Sequence, residues 1–256
     1  MITIAPDDVH LWAMFDHEQI AESVVNRYRD TILNSEERLR EMAYLRAATR
    51  RQYVLARALL RTALAQCVGL EPAELFFVTS ASGKPSLLEQ QAGGGLIEFN
   101  ISHTSGAIVL GVTQNRKIGV DVERVRARRV STQALPTFFD DDECEAIMAA
   151  PESTRAAVFC RYWTLKESYV KAIGATLPAA MRNVRFALDE GHIEVVCSPM
   201  QSPEQWHFRQ YQPTGEHLLS LCVEAPVGRT MRFILHQATP HAADNNNDWP
   251  LLLDSR

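Results

Sequence analysis

GVDVERV, residues 119–125, alternates small or apolar residues with acids, and that two-residue period is the signature of a strand. Asp121 and Glu123 therefore share one face, and Val120 and Val122 the other. Like charges on one face of a short strand repel each other. The cost is understandable if a cation sits between them. Before this strand lie LIEFNISH (96–103) and AIVLGV (107–112), read as two strands around the turn 104–106, and then a polar turn at 113–117.

Toward the N-terminus, HLWAMF (10–15) reads as a first strand. Asn34 followed by Glu37 has the spacing of a capping box. Apolar residues at 39, 42, 43, 53, 54, 59, 60 and 64 carry helix from there to about Cys67, where Gly69 and Pro72 stop it. LFFVT (75–79) reads as a strand, SGKP (82–85) as a turn, and Gly93, Gly94 and Gly95 close a loose loop. Beyond GVDVERV come helices near 140–150 and 153–173, then strands near 184–188, 192–197, 205–211, 217–223 and 230–236. Strands interleaved with helices in both halves make an α+β fold of two similar lobes in tandem. The expected division is 1–115, 116–237 and a poorly ordered polar tail over 238–256.

The chain of 256 residues is 46% hydrophobic and 22% charged, a globular composition with room for a full core. No apolar run approaches the length of a membrane helix, and the start lacks the basic-then-apolar pattern of a leader. Five widely spaced cysteines without a CxxC pair point to free thiols and a cytoplasmic setting. A net charge of −5 excludes a generally basic nucleic-acid binder. Arginines nevertheless crowd 38–61 (Arg38, Arg40, Arg46, Arg50, Arg51, Arg57, Arg61) and 124–129 (Arg124, Arg126, Arg128, Arg129), ground suited to an anionic ligand or partner as well as to solvated helix faces.

WTLKESYVKAIG (163–174) lies on the second strong helix. Phe159, Trp163, Glu167 and Lys171 form one row at four-residue spacing. Aromatics partly bury such a row, and a glutamate in it needs a partner; the alternative is a surface Glu–Lys pair. Asp121, Glu123 and Glu167 together would offer three carboxylates to one hard cation such as magnesium, with Lys166 and Lys171 beside a shared phosphate. Ser102 and His103, at a strand end, could reach a phosphate, or His103 could be a satisfied turn residue. In FFDDDECEAIM, Asp140 and Glu143 are spaced as a helix cap and its partner. His236 and His241 have no partner at ligand spacing.

GKP (83–85), FNISH (99–103), GVDVE (119–123) and WTLKESYVKAIG (163–174), in this order, resemble the 4′-phosphopantetheinyl transferases of the large, monomeric, surfactin-synthetase-activating type. The likeness spans about residues 35–190. It implies two similar α+β lobes with the active site between them. It also implies transfer of the 4′-phosphopantetheine arm of coenzyme A to a serine of an acyl or peptidyl carrier protein, with release of 3′,5′-ADP. By the resemblance Asp121, Glu123 and Glu167 are the magnesium ligands, Glu167 is also the base, and Lys171 stabilises the pyrophosphate. Ser102 and His103 match phosphate contacts, and Gly83, Lys84 and Pro85 the stretch beside the adenine. Arg40 falls where a basic residue meets a coenzyme A phosphate, and the 124–129 run becomes a dock for an acidic carrier. Gly174-Ala175-Thr176-Leu177-Pro178 departs from the G-x-G-L of many relatives. Two other readings are a magnesium-dependent nucleotide phosphotransferase or pyrophosphohydrolase, and a non-catalytic binder of coenzyme A or carriers.

Overall fold

A computed structural model of the chain describes residues 1–79, 83–92, 95–126, 131, 133–175, 179–197, 205–225, 228–238, 243–245 and 249–256. Two compact units emerge, Met1–Asn115 with Arg232–Asn247, and Arg116–Met231 with Asp248–Arg256.

The first unit contains β1 (Asp8–Phe15), α1 (Glu22–Thr31), α2 (Ser35–Ala43), α3 (Ala47–Val68), β2 (Phe77–Thr79), β3 (Pro85–Leu87), β4 (Ile97–Thr104) and β5 (Ala107–Gln114). The second contains β6 (Ile118–Arg124), α4 (Leu135–Phe138), α5 (Asp141–Ala149), α6 (Glu152–Ile173), β7 (Val184–Asp189), β8 (His192–Cys197), β9 (Trp206–Thr214) and β10 (His217–Glu224). The chain then returns to the first unit for β11 (Arg232–Ala238) and β12 (Ala243–Asn245) and ends in the second with β13 (Leu251–Asp254).

The sheets run β12-β11-β1-β5-β4 and β6-β10-β9-β13-β8-β7, with β2 and β3 as a separate pair. In each unit one 22-residue helix, α3 or α6, ends in a left-handed glycine, Gly69 (φ 73°) or Gly174 (φ 68°). An L side chain is strained in that conformation and glycine is not. At α6 the cap is doubled, Gly174 N–H donating to Lys171 O and Ala175 N–H to Val170 O. Thr176 to Pro178 lie outside the described residues. α3 packs Val54, Leu55, Leu59, Leu60 and Leu64 against Trp12, Met14, Phe99 and Leu110. α6 buries Tyr162, Leu165, Tyr169 and Ala172 among Val184, Phe186, Phe208 and Cys222. Among the described residues no helix is long and apolar enough to cross a membrane.

Three expectations need correction. The helix from Asn34 is two helices, broken at residues 44–46, and α2 turns its apolar side outward: Leu39 and Met42 are each 68% exposed. Its buried residues are Glu37 and Glu41, held by Arg57, Arg61 and Arg29, so ion pairing rather than hydrophobicity sets its orientation. Second, Arg232–Ala238 joins the sheet of the first unit, parallel to β1, rather than the C-terminal lobe. Third, the described residues after 238 are not a loose tail; 239–242 and 246–248 lie outside the described residues. β13 pairs with β9, Trp249 and Leu253 are buried, and Asp254 bonds His207 (2.6 Å) and Arg209 (2.7 Å).

The β1–β11 pairing also gives His236 a partner. Its Nε2 lies 2.9 Å from His10 Nδ1, and its ring stacks on Trp12 at 4.4 Å. Burial, and then His236, pull the His10 pKa down from 6.5 to about 4, against the pull of Asp8; Arg232 also lowers it. A histidine depressed in the folded state binds its proton first in the unfolded chain. Its contribution is complete above pH 6.5 and is lost progressively down to about pH 4. Denaturant unfolding of wild type should show stability falling across that window, and His10→Gln should flatten the slope.

Candidate active site

β6 and α6 build the site of the second unit. Gly119 lies where the two meet: a Cβ there would stand 2.0 Å from Ser168 O and 2.4 Å from Ala172 N. Only glycine admits a helix backbone that close. Because side chains alternate along a strand, Gly119, Asp121 and Glu123 face α6 together. Lys171 Nζ donates to Asp121 Oδ1 at 2.6 Å. Glu167, one helical turn before Lys171, is half-buried. Burial first, then the charge of Asp121 and more weakly that of Glu123, push its carboxyl above the ordinary value; Lys171 pulls the other way. The structure thus brings Asp121, Glu123, Glu167 and Lys171 into one electrostatic group.

Among the described residues no three His, Cys, Asp or Glu side chains form a ready-made metal cage. The chemistry of the donors does fit a hard cation. All three are carboxylates, and two of them raise the third, a repulsion that a divalent ion would relieve. Lys171 places one positive charge on Asp121 already.

Lys166 does not belong to this group. One residue on a helix is a rotation of about 100°, and Lys166 points into the core, 2.7 Å from Glu143 Oε2 with both side chains 0% exposed. Its Nζ also donates to Met181 O (2.8 Å) and Val184 O (2.7 Å). Glu143 accepts from the backbone N–H of Asp140 and of Phe186, while Asp140 accepts from Glu143 N–H, a complete capping box on α5. Burial raises Glu143 and lowers Lys166, and each partner's charge opposes the shift. Phe159 and Trp163 stack at 5.7 Å, and Trp163 meets Phe138 edge-on. α6 is therefore pinned by Lys166 on one flank, while Phe159 and Trp163 pack along the row that leads to Glu167.

The remaining candidates lie in the first unit. Ser102 and His103 are adjacent in β4 and so project to opposite faces, Ser102 buried and His103 exposed. Lys84 Nζ stands 3.3 Å from Glu98 Oε2 on β4, next to Pro85, which opens β3. Gly83 has φ 83° and is exposed. Ser82, Gly93 and Gly94 lie outside the described residues.

The crowded arginines divide by use. Arg38 donates to Leu33 O, Arg50 to Tyr44 O, Arg51 to His17 O and Glu22, and Arg57 and Arg61 to Glu37. Arg40 and Arg46 are left exposed at the surface. In the second cluster Arg124 pairs with Glu216 at 2.6 Å and Arg126 is exposed. Arg128, Arg129 and His241 lie outside the described residues.

A family model described as the 4′-phosphopantetheinyl transferase superfamily matches residues 117–222, and one described as 4′-phosphopantetheinyl transferase, N-terminal, matches 26–115. The chain is 32% identical over 187 residues to the 4′-phosphopantetheinyl transferase HetI of Nostoc sp., covering 73% of the chain and 77% of the relative. It is 29% identical over 235 residues to a phosphopantetheinyl transferase of Thraustochytrium sp. (86% and 80%), and 26% identical over 213 residues to the 4′-phosphopantetheinyl transferase Sfp of Bacillus subtilis (78% and 91%).

Truncating one partner of a buried ion pair leaves the other charge stranded. Lys166→Met should therefore cost about 3–5 kcal/mol in denaturant unfolding, and adding Glu143→Gln, which removes the stranded charge but keeps an acceptor for the backbone N–H groups of Asp140 and Phe186, should recover part of the loss.

Proposed function

The chain belongs to the 4′-phosphopantetheinyl transferase family, and we propose that Asp121, Glu123, Glu167 and Lys171 carry the family's reaction in it. The enzyme moves the phosphopantetheine arm of coenzyme A onto carrier proteins. In the proposed reaction a carrier serine oxygen attacks the phosphorus bearing the pantetheine arm. The bond to the other phosphate breaks, 3′,5′-ADP leaves, and the serine proton passes to Glu167.

The observation that supports this assignment is the pairing of Lys171 with Asp121 at 2.6 Å beside a Glu167 carboxyl raised by burial and acidic neighbours. A carboxyl raised in this way is a stronger base when ionised than one in open water. Lys171 would set positive charge against the departing phosphate. Asp121, Glu123 and Glu167 would hold magnesium, which when bound neutralises charge on the diphosphate. Arg40, Gly83, Lys84, Pro85, Ser102 and His103 would contact coenzyme A. With its side chains on opposite faces of β4, the Ser102–His103 pair would meet a single phosphate through one side chain and the backbone of the other. Arg126, exposed and basic, suits an acidic carrier. The same reading makes the enzyme a cytoplasmic monomer.

Mass spectrometry of a panel of apo-carriers incubated with coenzyme A and magnesium should show one serine gaining the mass of the arm. Glu167→Gln should still bind coenzyme A and lose about 100-fold or more in kcat. Near-normal turnover by that variant would remove the base assignment. Cleavage of coenzyme A without any carrier gaining mass would favour the pyrophosphohydrolase reading.

A further inference from the structure

We infer that Thr164, Ser220 and Gln210 are positioning residues: a buried polar seam that fixes the rotation of α6 and thereby sets Glu167 against Asp121 and Glu123. The inference rests on the site reading above.

The register carries it first. Gln210 stands opposite Ser220 across β9 and β10, and Ser220 opposite Asp121 across β10 and β6. Residues directly opposite in antiparallel strands point to the same side. Since Asp121 shares its side with Gly119, the whole row lies beneath α6. A sheet covered by a helix ordinarily presents apolar side chains there, because an unpaired buried polar group is costly.

Here the row is polar, and Thr164 comes down from α6 to meet it. Thr164, Ser220 and Gln210 are all 0% exposed. Gln210 Nε2 lies 2.9 Å from Ser220 Oγ, 3.1 Å from Arg161 O and 3.2 Å from Thr164 Oγ1. Ser220 Oγ and Thr164 Oγ1 are 2.8 Å apart, and Thr164 Oγ1 is 2.9 Å from Cys160 O. One direction of donation satisfies every hydroxyl: Gln210 to Ser220, Ser220 to Thr164, and Thr164 back to its own helix.

These bonds are directional, whereas the apolar contacts of Leu165 and Tyr169 tolerate small rotations. Thr164 and Glu167 are three residues apart and Lys171 four further on, so they share one flank of α6. A seam that holds Thr164 in place also holds the turn bearing Glu167. A misplacement of about 1 Å at a reacting group can cost on the order of 100-fold in rate. Gly119 sets how close the helix comes; the seam sets which way it faces.

The test uses Thr164→Val, which keeps the shape and removes the hydroxyl, Thr164→Ser, which restores it, and Ser220→Ala. Carrier-transfer kinetics are measured per folded molecule, and Mn2+ binding to the substrate-free enzyme is measured by electron paramagnetic resonance. Thr164→Val and Ser220→Ala should each lower kcat about fivefold with KM for coenzyme A nearly unchanged, and weaken Mn2+ binding by a similar factor. Thr164→Ser should recover both. Lowered melting temperature with wild-type kcat and Mn2+ affinity in Thr164→Val and Ser220→Ala would overturn the seam alone. Normal turnover by Glu167→Gln would overturn the site reading and the seam with it.

Discussion

The backbone of α6 touches the backbone of β6 at Gly119, and the rest of the site depends on that contact. With 2.0 Å between a would-be Cβ and Ser168 O, any other residue forces helix and strand apart. The contact brings a strand carrying two acids under a helix carrying a third. On its other flank α6 is tied down by Lys166, whose ammonium bridges Glu143, Met181 O and Val184 O. A helix held from both sides cannot swing away to relieve repulsion among Asp121, Glu123 and Glu167. The strain stays at the site, available to a cation.

How the protein treats its other buried acids makes this group informative. Asp8 is matched by Arg232, Glu37 by Arg57 and Arg61, Glu41 by Arg29, and Glu143 by Lys166, and even the half-buried Asp254 is matched by His207 and Arg209. α2 is even oriented by its acids, with Leu39 and Met42 left outside. Glu167 is surrounded differently. Two of the charges that act on it are carboxylates, and the cation that opposes them, Lys171, is bonded to one of those carboxylates. Such a departure from the pattern marks a site shaped for a ligand rather than for stability alone.

Local pattern was enough to read some of this. The alternation in GVDVERV places Asp121 and Glu123 on one side, and four-residue spacing ties Glu167 to Lys171 on α6. The capping boxes at Asn34 and Asp140 follow from the three-residue interval to Glu37 and Glu143. What depends on distant partners was not legible. Lys166 is adjacent to Glu167 in sequence yet serves the core, because its partner Glu143 arrives from α5. His236 gains meaning only beside His10, 226 residues away. The polar composition around 241–248 hid the fact that Trp249 and Leu253 return to a core. Thr164, Ser220 and Gln210 carry no motif, and their relation exists only in the register of β9, β10 and β6.

In the proposed site β6 and α6 share one divalent ion through Asp121, Glu123 and Glu167. The most direct measurement is a titration of Mn2+ into the substrate-free protein, followed by electron paramagnetic resonance, for wild type and for Asp121→Asn, Glu123→Gln and Glu167→Gln. A shared ion means a single site per chain, weakened about tenfold or more by each change on either element. Binding that responds to the strand variants but is indifferent to Glu167→Gln would contradict it.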